Sequence, residues 1–355
     1  MSEEDAVQGQ RISSRSSFPT VAQWPKGARD FVVRRGITLV CGSPDFVPTS
    51  AASNVSVISG GLRLLWLRVL MGVGLQHFIA KSGLGYDFVC HIGDLSEYPF
   101  YHPRAYEKEL ALCLGWLRHE VGPVVYDVGA NVGFICTHLA QMLSKQAPKI
   151  YAFEPVPTTF SKLEVSVSRL GVHDLVCPVP LALSDTPGTL QIAFFRRNSL
   201  VSRVVTDHAV GQIQGEQIVY VRGTTLDEFS AEIGVQPTLI KMDIEGSEVA
   251  ALRGARDLLS REHRPSILFE HNPVALGQRG MNPRCFSQLL SGYEFHYVDD
   301  LQDQMLPFGS RISDLSRVNW ICNLFAVPTG EESAAKWHSA VTFAWNKLGI
   351  DGSAA

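Results

Sequence analysis

The run VVYDVGANVGF, Val124 to Phe134, constrains this chain more than any other stretch. Val124, Val125 and Tyr126 read as a short buried strand. Asp127 follows, then Gly129-Ala130-Asn131-Val132-Gly133, and a helical apolar period begins. Glycine admits positive φ and lets a ligand approach where a Cβ would stand. A strand feeding a glycine turn and then a helix opens an α/β sheet, whose ligands bind beyond the carboxyl ends of the strands. Here the glycines are spaced GxxxG and the acid precedes them, which departs from the GxGxxG of dinucleotide sites.

From Pro123 onward the pattern alternates strand and helix, the mark of a mostly parallel sheet with helices on both faces. The first helix carries Val132, Ile135, Leu139 and Met142 on one face. Strand two is Ile150–Pro155, its helix carries Phe160, Leu163, Val167 and Leu170, and strand three covers Leu175–Leu183. Leu190–Phe195 and Gln217–Val221 read as strands of a small β insertion, divided by a polar stretch with Asn198 and Asp207. Strand four is Leu239–Asp243, with one helix through Val249, Leu252 and Leu259; strand five is Ser266–Glu270. Tyr293–Val298 and Asn319–Val327 close the sheet. Ahead of it, Ile37–Gly42 reads as a strand, and Leu62–Ile79 and Ala105–Leu117 as helices. The expected organisation is a flexible tail over 1–30, a mixed α/β extension over 31–104, a main domain over 105–329 and a tail over 330–355 with a short helix around Trp337–Leu348.

The strand ends collect the chemistry. Asp127 ahead of the glycines suits a phosphate-free, cationic ligand such as S-adenosylmethionine, whose amino group calls for a carboxylate rather than a phosphate cradle. Glu154 ends strand two about twenty residues on, where an acid can accept both ribose hydroxyls. The adenine would then lie near Ala182–Asp185. KMDIEGSE, Lys241–Glu248, closes strand four: Asp243 falls at the carboxyl edge, while Glu245 and Glu248 read equally as first-turn acids favoured by the helix dipole. FEHNP, Phe269–Pro273, sets Glu270, His271 and Asn272 at the end of strand five. His271 can serve as a base, since an ordinary histidine titrates at about 6.5, or it is a hydrogen-bonded structural residue.

In this order the motifs resemble the FkbM-type S-adenosylmethionine-dependent methyltransferases, over about Tyr106 to Val327. The resemblance rests on YEKE (Tyr106–Glu109), VYDVGANVGF, YAFEPVPTTFSKL, ALSD (Ala182–Asp185), TTLDEF (Thr224–Phe229), KMDIEGSEVAALRGA and NLFAVP (Asn323–Pro328). It implies a class I methyltransferase fold, Rossmann-like, with a seven-stranded sheet whose last strand is antiparallel, and O-methylation of a hydroxyl on a sugar or natural product. It further implies cofactor contacts from Tyr106, Asp127, Gly129, Ala130, Asn131, Gly133, Phe134, Glu154, Pro155, Ala182, Ser184 and Asp243. His271, Asp243 and Glu245 are then the candidate catalytic groups. A second scheme acidifies the hydroxyl with Mg²⁺ held by Asp243, Glu270 and Asn272; the metal-free scheme is preferred because Glu270 falls inside the strand pattern. Two rivals differ in class: an NAD-dependent oxidoreductase, disfavoured by the missing GxGxxG, and a catalytically silent methyltransferase-like scaffold.

Bulk properties narrow the partners. With 355 residues and 45% hydrophobic content the chain can bury a large core. A net charge of −4 and no long Lys/Arg run give no nucleic-acid footprint, and the small hydroxyl-bearing acceptor expected as partner is what the resemblance implies. Seven singly scattered cysteines without CxxC, and an opening MSEEDAVQGQRISSRSS without an apolar core, predict a reduced, cytoplasmic protein. The apolar run Gly60–Ile79 is interrupted by Arg63, Arg68, Gln76 and His77 and reads as buried helix, with no transmembrane segment expected.

Overall fold

The computed structural model describes residues 74–92, 104, 106–195, 198–205, 216–300 and 306–349. The chain divides into two units, Met1–Gln76 and His77–Ala355. The expected tail over 1–30, the strand Ile37–Gly42 and most of the expected helix Leu62–Ile79 lie outside the described residues. Where that helix was expected to end, a strand stands instead. β1 (His77–Lys81) pairs antiparallel with β2 (Asp87–His91). HFIAK buries Phe78 and Ala80 and exposes Ile79 and Lys81, a period of two that the broader apolar run concealed.

The main sheet is built in chain order. Helix α1 (Glu107–Leu117) precedes β3 (Val124–Val128), α2 (Phe134–Met142), β4 (Lys149–Phe153), α3 (Pro157–Arg169) and β5 (Val176–Val179). An insertion holds β6 (Ala182–Leu183), β7 (Gly188–Phe195), β8 (Asn198–Val204) and β9 (Gln217–Thr224), and is followed by α4 (Leu226–Ile233). Then come β10 (Leu239–Met242), α5 (Glu248–Arg253), α6 (Arg256–Ser260), β11 (Ser266–His271), α7 (Pro273–Gln278) and α8 (Arg284–Leu289). β12 (Tyr293–Asp300), the two-residue β13 (Arg311–Ile312), β14 (Cys322–Pro328) and α9 (Glu331–Leu348) complete it. Sheet order is β13-β12-β14-β11-β10-β3-β4-β5. The pairs from β5 through β11 are parallel, and β14 runs antiparallel between β11 and β12. Strand order reverses between β3 and β10, the place where an open α/β sheet leaves a crevice at its carboxyl edge.

Successive strand residues face opposite layers. Val125, Ile150, Leu239, Leu268 and Phe325 pack with Leu110, Leu139 and Ala340; Tyr126, Phe153, Ile240 and Phe269 pack with Leu226, Val249 and Phe286. Gly115 on α1 permits the close crossing of α9, since a Cβ there would stand 2.6 Å from the Ala340 carbonyl oxygen. Trp337 of α9 stacks on His296 at 4.1 Å between ring centroids. Among the described residues no helix is long and apolar enough to cross a membrane.

Four expectations need correction. The strand expected over Leu175–Leu183 breaks after Val179, and β6 leaves it to pair with β9. Pro180 has no N–H with which to continue a ladder. The polar stretch at Asn198 is a strand, β8, paired with β7. The helix expected through Leu259 divides at Gly254, where a Cβ would meet the Ser184 carbonyl oxygen at 2.2 Å. The short terminal helix is an 18-residue helix with Ala340, Val341 and Ala344 buried.

Candidate active site

A cleft opens at the carboxyl ends of β3, β4 and β10, its space about 1020 Å³ when counted out to open solvent. Its floor is the glycine loop. Gly129 (φ 80), Asn131 (φ 51) and Gly133 (φ 90) are all left-handed, and the Gly129 and Ala130 amides both donate to the Phe153 carbonyl. A Cβ on Gly129 would fall 2.0 Å from the Asp243 carbonyl oxygen, so the β3 and β10 loops can meet only through glycine.

Glu154 lies directly after β4, buried, and lines the cleft. Its Oε2 accepts the Asn131 amide at 3.2 Å and its Oε1 the Val156 amide at 2.9 Å. A carboxylate offers about four acceptor sites, so each oxygen keeps capacity for a ligand hydroxyl. Burial pushes its pKa up to about 7, against the pull of those two amides. Leu181, Ala182, Leu183 and Ile192 form an apolar wall beside it.

Asp127 does not line the cleft. It is fully enclosed behind it, and the cleft wall there is Lys241, whose Nζ stands 3.6 Å from Asp127 Oδ1 and 3.7 Å from Asp243 Oδ2. Burial works against the charge on Lys241, but Asp243, Asp127 and Glu109 outweigh it and raise its pKa. Sequence reasoning assigned Lys241 no role. Strand parity carried the signal: Lys241 pairs in register with Asp127 and shares a face with Asp243.

Beyond β10 the chain turns sharply. Glu245 (φ 54) and Gly246 (φ 88) occupy the centre of a turn closed by Ser247 N–H donating to the Ile244 carbonyl at 3.2 Å, with the positive φ pair of a type I′ turn. A left-handed glutamate is strained. Glu248, 1% exposed, holds it: Oε1 accepts the Ile244 amide at 2.9 Å and the Gly246 amide at 3.4 Å. Glu248 is thus a structural acid, while Asp243, Glu245 and Ser247 face the cleft. Burial, then Asp243, Glu270 and Glu248, push Glu245 up to about 9, so it is a neutral acid at neutral pH. Of the four non-glycine residues at positive φ among the described residues, three line the cleft: Tyr106, Asn131 and Glu245. Tyr106 packs on Phe134 at 5.4 Å, and both are cleft residues, as is Pro155.

The remaining candidates lie elsewhere. His271 is fully buried, its Nε2 3.0 Å from the Val318 carbonyl and its ring against Phe286. It shares the sheet face of Phe269 and lies outside the cleft lining, so the base expected there is not at the cleft. Asn272 caps α7, with Oδ1 accepting the Ala275 amide at 3.0 Å and Nδ2 donating to Glu270 Oε2 at 3.4 Å. Asn272 thus serves the start of α7 and the Glu270 carboxylate. Among the described residues no group of three or more His, Cys, Asp and Glu side chains gathers as a metal site. Burial first, then Asp243, raise Glu270 to about 8. Gly133 and Ser184 flank the cleft without lining it; Ser184 donates to Asp185 at 3.3 Å. Ser202 and Val204 of the insertion do line it, which the sequence alone did not reveal.

A mostly parallel sheet with antiparallel β14 between β11 and β12, and a cleft at its switch point, defines the class I methyltransferase fold. The chain belongs to the FkbM methyltransferase family, whose domain model matches residues 127–305. It is 31% identical over 172 residues to the hexuronic acid methyltransferase AglP of Haloferax volcanii, spanning 48% of this chain and 63% of that protein. It is 29% identical over 171 residues to the 31-O-demethyl-FK506 methyltransferase FkbM of Streptomyces tacrolimicus, spanning 40% of this chain and 64% of that one. The chain thus spans under two thirds of the length of these curated relatives. A solved FkbM methyltransferase from Methylobacillus flagellatus matches with 14% identity and a TM-score of 0.41, covering 84% of this chain and 60% of that one.

Proposed function

We propose that this chain transfers a methyl group from S-adenosylmethionine to a hydroxyl oxygen of a sugar or natural product. The observation that carries the reading is Glu154, a buried carboxylate at the end of β4 with acceptor capacity left on both oxygens, beside an apolar wall and the left-handed Asn131. That set suits a ribose and an adenine. Lys241 on the cleft wall, backed by the enclosed Asp127, suits the carboxylate of a methionine end, and Asp243 beside it suits the ammonium. The oxygen acceptor follows the relative named for 31-O-demethyl-FK506, and the sugar follows the relative named for a hexuronic acid.

The cofactor supplies, when bound, an electrophilic methyl on a sulfonium. The chain's own task is alignment and proton disposal. Asp243, on the cleft at the end of β10, accepts the hydroxyl proton as the oxygen attacks. Glu245, neutral at neutral pH, donates a hydrogen bond that orients the acceptor, and the Glu248 grip on its turn fixes that direction. Tyr106 and Phe134 wall the cleft against water. The test is methyl transfer from donor labelled on the methyl group to a panel of hydroxyl-bearing sugars and macrolides. Transfer to at least one member is expected, and Asp243→Asn should lower it by about 100-fold or more at saturating donor. Donor binding without transfer to any member favours the silent scaffold instead.

A further inference from the structure

Arg279 lies just beyond α7, and its side chain crosses the turn that carries Glu245. A Cβ on Gly246 would stand 3.5 Å from Arg279 Nε. One guanidinium N–H donates to Ser247 Oγ at 3.3 Å, and Ser247 is a cleft residue. Among the described residues no carboxylate comes within 4.0 Å of this guanidinium. Burial lowers its pKa, which Glu248 offsets only in part from a distance, and Glu248 Oε1 is occupied by the two turn amides. Arg203 of β8, between cleft residues Ser202 and Val204, adds a second positive charge nearby and is already paired with Glu216 at 2.6 Å. A guanidinium has five donors and no acceptor. Half-buried with one neutral side-chain partner, it keeps N–H donors for an anion to complete.

We propose that Arg279 anchors an anionic group, a carboxylate or phosphate, on the methyl acceptor. The inference rests on the methyl-transfer reading of the cleft and adds the acceptor's charge class. Ile244 and Ser247 are the ends of one β-turn, within about 7 Å between Cα atoms. A sugar whose hydroxyl faces Asp243 would extend a substituent along this turn toward cleft residue Ser247, behind which Arg279 donates to Ser247 Oγ. The neutral state of Glu245 removes the repulsion that would otherwise meet an anion there.

The test is calorimetric titration of S-adenosylhomocysteine-saturated protein with methyl β-D-glucoside, methyl β-D-glucuronide and glucose 6-phosphate. At least one anion should bind about tenfold or more tightly than the glucoside, and which one it is separates carboxylate from phosphate. Arg279→Gln should level that preference while keeping its S-adenosylhomocysteine affinity and melting temperature, and Arg279→Lys should restore part of it. Equal binding of the three, binding of none, or a preference that survives Arg279→Gln overturns the inference. Failure of wild-type protein to bind S-adenosylhomocysteine instead overturns the methyl-transfer reading beneath it.

Discussion

At the scale of single residues, the cleft is made by positions where the ordinary backbone menu runs out. Gly129 has no substitute: alanine there would meet the Asp243 carbonyl at 2.0 Å in a left-handed conformation. Gly129→Ala should destabilise by about 3 kcal/mol or more and lower the melting temperature by roughly 5 °C or more; an unchanged melting temperature contradicts the close approach. The acids around Lys241 need no metal in this account, so a chelator should leave methyl transfer intact, and loss that Mg²⁺ restores would revive the cation scheme. Much of this scale was readable beforehand, because glycine spacing and acids at strand ends carry their chemistry locally. His271 was not. Glu270 and His271 are neighbours in sequence but face opposite sides of β11, and only the assembled sheet tells which side is the cleft. Arg279 was equally hidden, since nothing in its own neighbours announces a turn 33 residues upstream.

Among elements, the parallel strands and crossover helices were legible because each carries its own apolar period. The insertion and the terminal helix were not. β8 reads as a polar divider because a strand on a small sheet can be polar and still be paired. α9 reads as short because its buried residues are largely alanines, whose fit against Gly115 of α1 is a property of two helices together. The α1–α9 crossing yields a sharp expectation. Gly115→Val must push α9 off the sheet, costing about 2–4 kcal/mol and exposing Trp116 and Phe325. Thermal unfolding and dye binding to apolar surface check it; a variant as stable as wild type would mean that the crossing tolerates a wider spacing.

For the molecule as a whole, the buried acids set the pH dependence. Glu109, Glu154 and Glu248 are pushed up to about 7, Glu270 to about 8 and Glu245 to about 9, burial being the largest cause in each. Between the unfolded carboxyl value, about 4.3, and those folded values, the native state binds more protons, so stability falls as pH rises. His138 and His296 are pulled down to about 4 by burial, so between about 4 and 6.5 their own contribution falls toward acid and offsets part of that carboxyl term. The melting temperature of the ligand-free protein should therefore decline from pH 6.5 to pH 9, and a flat or rising profile would contradict the crowding of carboxyls at the sheet edge. The same crowding centres on a cleft read here as a methyl-donor site, with Glu154 as its ribose grip. Calorimetric titration with S-adenosylhomocysteine tests that most directly. The account predicts one site per chain, weakened about tenfold or more by Glu154→Ala in a protein that stays folded. No binding by the wild type, or equal binding by the variant, would contradict it.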